Sequence, residues 1–201
     1  MTTQPIAGRC DKLLLFYETL LDVWHARRRQ RWLSSVSLDN PRLCEFMNPD
    51  IIHALEIAAI VVAGTMTGSE LAVAVFFHPR ISRLEDAVHI RAAQTLAKVL
   101  GMVMQFWYPL TFLLALALTL VAHATRSTPW WLALTSTVLL ALISVYSVLL
   151  PVPINNQVAC WQPDSVPPNW RDLRRRWDFL HAIRVVSLIV ALVLLVASCV
   201  I

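Results

Sequence analysis

The sequence predicts an all-α membrane protein: a four-transmembrane-helix bundle preceded by an N-terminal amphipathic extension. Of its 201 residues, 57% are hydrophobic and only 15% are charged. The apolar residues cluster into four runs, at about 51–77, 99–122, 130–150 and 179–201. Each run meets the requirement of roughly 20 residues for a helix that crosses about 30 Å of hydrocarbon. The alternating pattern of barrel strands is absent, so a helical bundle is expected.

Two domains follow from this pattern, an extension at 1–50 and the transmembrane domain at 51–201. Within the extension, residues 13–33 carry a short apolar patch followed by Arg27, Arg28, Arg29 and Arg31. This order suits a helix that lies along a membrane surface. It does not suit a signal peptide, in which the charges precede the apolar segment.

Four crossings place both termini on one side of the membrane and the connections 78–98 and 151–176 on the other. Lys and Arg number eight on the terminal side and nine on the other, which together make the 17 of the sequence. The usual excess of cytoplasmic cations therefore does not decide the orientation. We expect a multi-pass integral membrane protein and favour cytoplasmic termini.

Helical geometry, at 100° per residue, gathers the polar side chains of three helices onto three faces. The first face holds His53, Glu56, Thr67, Glu70 and His78. The second holds Arg91, Gln94, Lys98, Gly101, Gln105 and Tyr108. The last holds Arg174, Trp177, His181 and Arg184. Because polar groups in lipid satisfy one another only when they face inward, we expect Glu70, Arg91, His181 and Arg184 to line one cavity.

Other residues have two interpretations each. Trp161 and Trp177 either wall an aromatic pocket or anchor the helices at the interface. Asn155 and Asn156 follow PVPI, where the third helix is expected to end, so they either cap it or serve a ligand. His89 points away from the polar face of its helix and is expected to contact solvent. Gly64 and Gly68 form a GxxxG pair that predicts close approach of a second helix.

A metal site is an open alternative for the same side chains. Glu70, His78 and His181 have the ligand chemistry to hold iron or copper. No HxxxH or ExxH pair supports that interpretation, and the four cysteines have no CxxC spacing. Phosphate-binding loops and nucleic-acid modules are also absent from the sequence, so we expect no nucleic-acid partner.

Three segments resemble the anthrone oxygenase-like membrane family. They are HPRISRLEDAVHIRAAQTLAKVLGMVMQFW at 78–107, PINN at 153–156 and LRRRWDFLHAIR at 173–184. The resemblance spans about 53–200, and Arg176, Trp177 and Arg184 are its most specific part. It departs from many relatives at His181, where they have asparagine, and at Ala182, where we would expect histidine.

This resemblance implies oxidation of an electron-rich aromatic or polyketide substrate by dioxygen, without a bound redox cofactor. Such a reaction needs a base, a group that stabilises the anion and an apolar cavity. His181 is the leading base, with His78 or Glu70 as alternatives. Arg184 and Arg91 would stabilise the oxyanion. Binding of the substrate would fall to Asn155, Asn156, Trp161 and Trp177.

Two other functions remain open from the sequence. A small proton-coupled transporter would use Glu70 as its titrating group, and a non-catalytic subunit would bind a partner through residues 1–50. The expected partners are the lipid bilayer, an aromatic small molecule and dioxygen, and a homo-oligomer is also compatible with the pattern.

Overall fold

The computed structural model describes residues 48–124, 130–161 and 166–201. The predicted amphipathic helix of the N-terminal extension lies outside these residues. The described helices are α1 (Pro49–Ala72), a π-helical turn (Val73–Phe77), α2 (His78–Ile81), α3 (Asp86–Ala124), α4 (Trp130–Leu149), α5 (Pro151–Ala159) and α6 (Trp170–Val200).

Four of these stretches are long and apolar enough to cross a membrane, and the predicted fold class is confirmed. They are Pro49–Ile81, Asp86–Ala124, Trp130–Ala159 and Trp170–Val200. In the bundle, α1 packs on α3, α3 on α4, α4 on α6, and α6 back on α1. These are the four apolar helices of an integral membrane protein, while the side that the termini face stays a prediction.

The helices extend well beyond the apolar runs. α3 begins at Asp86, 13 residues before the run that starts at 99, which adds about 20 Å of helix. The expectation of long polar connections at 78–98 and 151–176 is therefore wrong. Their charges lie mainly on helical extensions, because α3 begins at Asp86, α5 continues to Ala159 and α6 begins at Trp170. An ion pair of 2.6 Å between Arg171 and Asp86 places both connections at one end of the bundle, hereafter the polar end.

The third span is broken, but it does not end at the PVPI segment. Pro151 occupies the first turn of α5, where its missing N–H is no loss, so a new helix begins there. Asn155 and Asn156 consequently lie inside α5, and the expected cap or turn at these residues is wrong. Gln94 of α3 holds the end of α5 by donating to the Trp161 carbonyl at 2.8 Å and to the Val158 carbonyl at 3.2 Å.

Small residues and hydroxyls join the helices in the apolar interior. Ala59, Ala63, Ala115 and Ala191 are buried against Met66, Leu188 and Leu195. Ser136 donates to the Ala191 carbonyl at 2.8 Å, linking α4 to α6. Such contacts are typical of membrane helices, because lipid supplies no hydrophobic force that would join them. Gly64 and Gly68 do not take part, since no atom of the described chain lies within 4 Å of a Cβ added there.

Candidate functional site

A compact ion-pair cluster lies at the junction of α1, α3 and α6. Glu70, His181 and Arg184 are only 2%, 1% and 7% exposed. The terminal nitrogen Nη2 of Arg184 donates to Glu70 Oε2 at 2.8 Å. The hydroxyl of Tyr108 donates to the other carboxylate oxygen, Oε1, at 3.0 Å. Both oxygens of the buried carboxylate are thus satisfied from two different helices.

Two groups contact Nδ1 of His181. The terminal nitrogen Nη2 of Arg184 lies 2.8 Å from it, and Glu70 Oε2 lies 3.3 Å from it. Because the guanidinium is closer and can only donate, we assign Nδ1 as the acceptor, which puts the proton of the neutral ring on Nε2. His181 Nε2 is buried and has no hydrogen-bond partner among the described residues. His181 is therefore a hydrogen-bond donor that lacks an acceptor.

The π-helical turn sets the direction of His78. In a regular α-helix, eight residues at 100° each would leave His78 about 80° from Glu70 around the axis. The π turn is wider and rotates less per residue, which reduces this angle. Its i→i+5 bond runs from the His78 N–H to the Val73 carbonyl. Pro79 follows and has no N–H of its own to restore the α-helical ladder.

His78 meets a carboxylate of α6. Its Nδ1 lies 3.2 Å from Asp178 Oδ1, and Arg174 Nε lies 3.3 Å from the same oxygen. Neither contact has full hydrogen-bond geometry, because the buried Asp178 Oδ1 accepts no hydrogen bond from the described residues. With Nδ1 directed at Asp178, His78 Nε2 makes no hydrogen bond to any described residue. His78 thus lies beside a carboxylate and has one nitrogen available.

Trp177 packs between the two histidines and Arg174. Its ring stacks on His181, with centroids 4.7 Å apart and planes at 17°, and it meets His78 edge-on at 4.7 Å. The guanidinium of Arg174 lies 4.6 Å from the centroid of the Trp177 ring. These contacts hold the imidazoles 5.1 Å apart, centroid to centroid.

A cavity of about 260 Å³ adjoins the two histidines. Its lining residues are Ala74, His78, Pro79, Ser82, Asp178, His181 and Ala182. A separate hollow of about 430 Å³ on the outer face of α3 is lined only by Met102, Val103, Phe106, Trp107 and Leu110, which have no titratable side chains. Of these two cavities, only the smaller one is lined by titratable side chains.

Several residues predicted for the site lie elsewhere. Arg91 is exposed, and the expectation that it shares an inward cavity with Glu70 is wrong, as it is for Lys98 and Gln105. The buried face of α3 lies instead along Ile90, Ala93, Thr111 and Ala115. Of the polar residues predicted for that face, Gln94 and Tyr108 alone contact the interior, because they lie at its edge.

The residues of α5 also stay apart from the histidines. Asn156 is exposed and Asn155 half-buried, whereas Ile154 and Val158 form the buried face. That face packs with Ala93, Trp161 and Trp177 in a second apolar cluster. Trp177 therefore belongs both to this cluster and to the histidine site, while Trp161 packs against the cluster and does not line the cavity.

Sequence reasoning missed three features. His89 is buried, not in contact with solvent, and lies edge-on to Trp170 at 5.1 Å. Asp178 was overlooked although it is four residues after Arg174 and one turn before Ala182. Tyr108 had been placed on an inward face, but its contact with Glu70 had not been foreseen.

One comparison with known proteins gave a match, and it covers most of the last three of the four spans. Residues 99–194 match the family model described as Anthrone oxygenase. Over these residues the chain is similar to the anthrone oxygenase family. The match covers a little under half of the chain and includes Tyr108, Asp178, His181 and Arg184, whereas Glu70 and His78 precede it. Neither the curated proteins nor the solved structures gave a match.

The geometry of the described residues gives no support to the metal alternative. Among residues 48–124, 130–161 and 166–201, no group of three or more His, Cys, Asp or Glu side chains is placed to hold a metal ion. The guanidinium of Arg184 already contacts both Glu70 Oε2 and His181 Nδ1, which lie 3.3 Å from each other. A metal cation there would have to displace this charge.

Proposed function

We propose that this protein oxidises an electron-rich aromatic, anthrone-like substrate with dioxygen in the cavity of about 260 Å³ beside His78 and His181. The observation that carries the proposal is the complementary state of the two imidazoles. One has a nitrogen available to accept a proton, and the other has an N–H without an acceptor. The family match supports an oxygenase-like role.

In this proposal His78 is the base. Asp178 orients its Nδ1–H, so Nε2 can take a proton from the substrate. The imperfect alignment of the two groups does not exclude this role, because catalytic hydrogen bonds are often loose until substrate binds. His181, the leading base in the sequence analysis, is better suited to donate, because Arg184 occupies its Nδ1.

His181 Nε2–H would stabilise the substrate oxygen on which negative charge develops. A preorganised donor in a buried site favours the transition state because it needs no reorganisation during the reaction. Arg184 would act through His181, because its guanidinium donates to Nδ1 and so keeps the N–H on Nε2. Glu70 would act one step further away, by holding Arg184 in place. They are positioning residues in this scheme.

The reaction balances with dioxygen as the only co-reactant. His78 removes a proton from the CH₂ group between the rings, and the C–H electron pair remains as a delocalised anion. Dioxygen takes up these electrons and forms a C–O bond, and the proton returns to give a hydroperoxide. Cleavage of the O–O bond with loss of the second C–H proton releases water. The CH₂ group and O₂ thus become a C=O group and H₂O.

The transporter alternative has weaker support. Protonation and deprotonation of Glu70 would have to break its contacts with both Arg184 and Tyr108 in every transport cycle. No comparable network holds His78 Nε2.

The chain offers a matched pair of histidines for the test. His78 and His89 are both buried, and each lies edge-on to a tryptophan, at 4.7 and 5.1 Å. Only His78 lines the cavity. Wild type, His78→Gln and His89→Gln would be reconstituted in liposomes, and oxygen consumption and quinone absorbance followed after addition of anthrone. Protein-free liposomes measure autoxidation.

Loss of the base should lower turnover by roughly 10²–10⁴-fold in His78→Gln. His89→Gln should retain turnover close to that of wild type. Equal turnover by all three proteins would remove His78 from the mechanism. Absence of turnover above the protein-free liposomes, over a panel of anthrones, would reject the oxygenase proposal.

A further inference from the structure

We propose that the substrate reaches the cavity sideways from the bilayer, through a gap between the π-helical turn and α6 that Ala74 and Ala182 keep open. The ligand class is then a small aromatic ketone or phenol that partitions into lipid and keeps its oxygen near the membrane surface. This inference rests on the proposed function for the substrate, but its route can be tested without turnover.

The positions of the two alanines support a lateral opening. Ala74 lies three residues before the end of the first apolar run at 77, and Ala182 lies three residues after the start of the last run at 179. Each is therefore about 4.5 Å inside the apolar zone. Both line the cavity, one from each wall. The gap thus lies at one depth on two neighbouring helices, just below the membrane surface.

The rim of the opening has an apolar side and a polar side. Toward the membrane centre, Leu71 precedes Ala74 by one turn and Val186 follows Ala182 by one turn, and both are exposed. Toward the polar end the rim holds Ser82, which is exposed, and Asp178, which is partly exposed. A molecule with a flat apolar body and one polar oxygen matches this division, because each part keeps its preferred surroundings.

The size of the cavity limits what can enter. About 260 Å³ lies just below the usual range of ligand sites, roughly 300–1,000 Å³. A single compact ring system suits this volume better than an extended polyketide chain. Ala182 is on the rim, so a larger side chain there would narrow the opening. We infer that Ala182 limits substrate size.

The first experiment measures which phase the opening faces. With the four native cysteines replaced, a nitroxide label would be attached to Ala182→Cys in reconstituted protein. Its collision rates with dioxygen, which concentrates in lipid, and with a water-soluble nickel chelate would be compared. Val193→Cys and Arg175→Cys serve as references, since one is exposed on the apolar part of α6 and the other at its polar end.

A lateral opening predicts that the label at 182 behaves like the label at 193, with dioxygen collisions exceeding those of the nickel chelate. Behaviour like that at 175 would show that the gap faces water and would overturn the inference. Neither result depends on turnover, so the route and the proposed reaction can fail separately.

The second experiment tests Ala182 as the residue that limits substrate size. Ala182→Phe should lower kcat/KM for a three-ring anthrone at least tenfold, mainly through KM. It should change a two-ring analogue much less. Ala54→Phe, at an exposed alanine near the other end of α1, is the matched control and should affect neither substrate. Equal losses for both substrates in Ala182→Phe, or none, would contradict the assignment.

Discussion

Replacement of Glu70 by glutamine should destabilise the bundle far more than the same change at an exposed ion pair. In Glu70→Gln, the guanidinium of Arg184 stays buried at 7% exposure but loses the carboxylate 2.8 Å away. Removal of one partner from a buried pair typically costs about 3–5 kcal/mol, because the remaining charge is uncompensated. This corresponds to roughly two to three and a half powers of ten in the unfolding equilibrium.

Asp86→Asn is the matched control. Asp86 also accepts from an arginine, Arg171, at 2.6 Å, but both side chains are more than half exposed. Exposed pairs contribute about 0–1 kcal/mol, so the control should be nearly neutral. The two substitutions remove the same kind of contact and differ mainly in burial.

Reversible unfolding by sodium dodecyl sulfate in bicelles, followed by circular dichroism, gives the free energy for each variant. The double variant Glu70→Gln/Arg184→Met removes the orphaned charge and should recover about 1–3 kcal/mol relative to the sum of the single changes. A loss near 0.6 kcal/mol in Glu70→Gln, the usual value for one hydrogen bond between membrane helices, would refute the reasoning. Arg184 would then be reaching water or another anion.

Three further predictions use the same bundle. Tyr108→Phe removes a hydrogen bond to a charged oxygen and should lower the free energy of unfolding by about 1.5–3 kcal/mol. The control Tyr146→Phe, whose hydroxyl donates to the Leu180 carbonyl, should lower it by about 0.5–1.5 kcal/mol. Equal losses in the same unfolding titration would argue against an ionised Glu70. Ser136→Ala breaks a hydrogen bond between α4 and α6 and should lower the free energy of unfolding by about 0.6–1.7 kcal/mol. Ser144→Ala should change it very little, because the Ser144 hydroxyl bonds within α4. A larger loss in Ser144→Ala than in Ser136→Ala would contradict this packing. Thiol labelling in sealed vesicles should find Ser82→Cys and Asn169→Cys on one side and His123→Cys on the other, and any other distribution would contradict four crossings.

Much of the fold could be predicted from the sequence because bilayer thickness sets the length of an apolar run. The proximity of Glu70, His181 and Arg184 was also within reach, since 100° per residue fixes which side chains share a face and polar faces avoid lipid. The same rule failed for Arg91. Periodicity gives the angle between two residues of one helix, but it does not say which arc of α3 meets α1 and α6. Small residues such as Ala93 and Ala115 occupy that arc.

The partner of His78 could not be predicted for a different reason. Its contact with Asp178 depends on the π turn. No residue between Val73 and Phe77 signals that irregularity. The only local sign is Pro79, which follows His78. His89 is predicted to contact solvent because it points away from the polar face of its helix. In the structure the start of α3 meets the start of α6 through the ion pair of Asp86 with Arg171, and His89 is therefore covered by Trp170.

The π turn also affects how this chain should be aligned with its relatives. A π turn holds one more residue than the α-turn that it replaces, so a helix that lacks it would reach the same point in space one residue earlier. In such a relative, the counterpart of His78 would stand one position closer to the counterpart of Glu70. An alignment that permits no gap inside 73–77, on the ground that the helix is continuous, would pair His78 with the wrong residue.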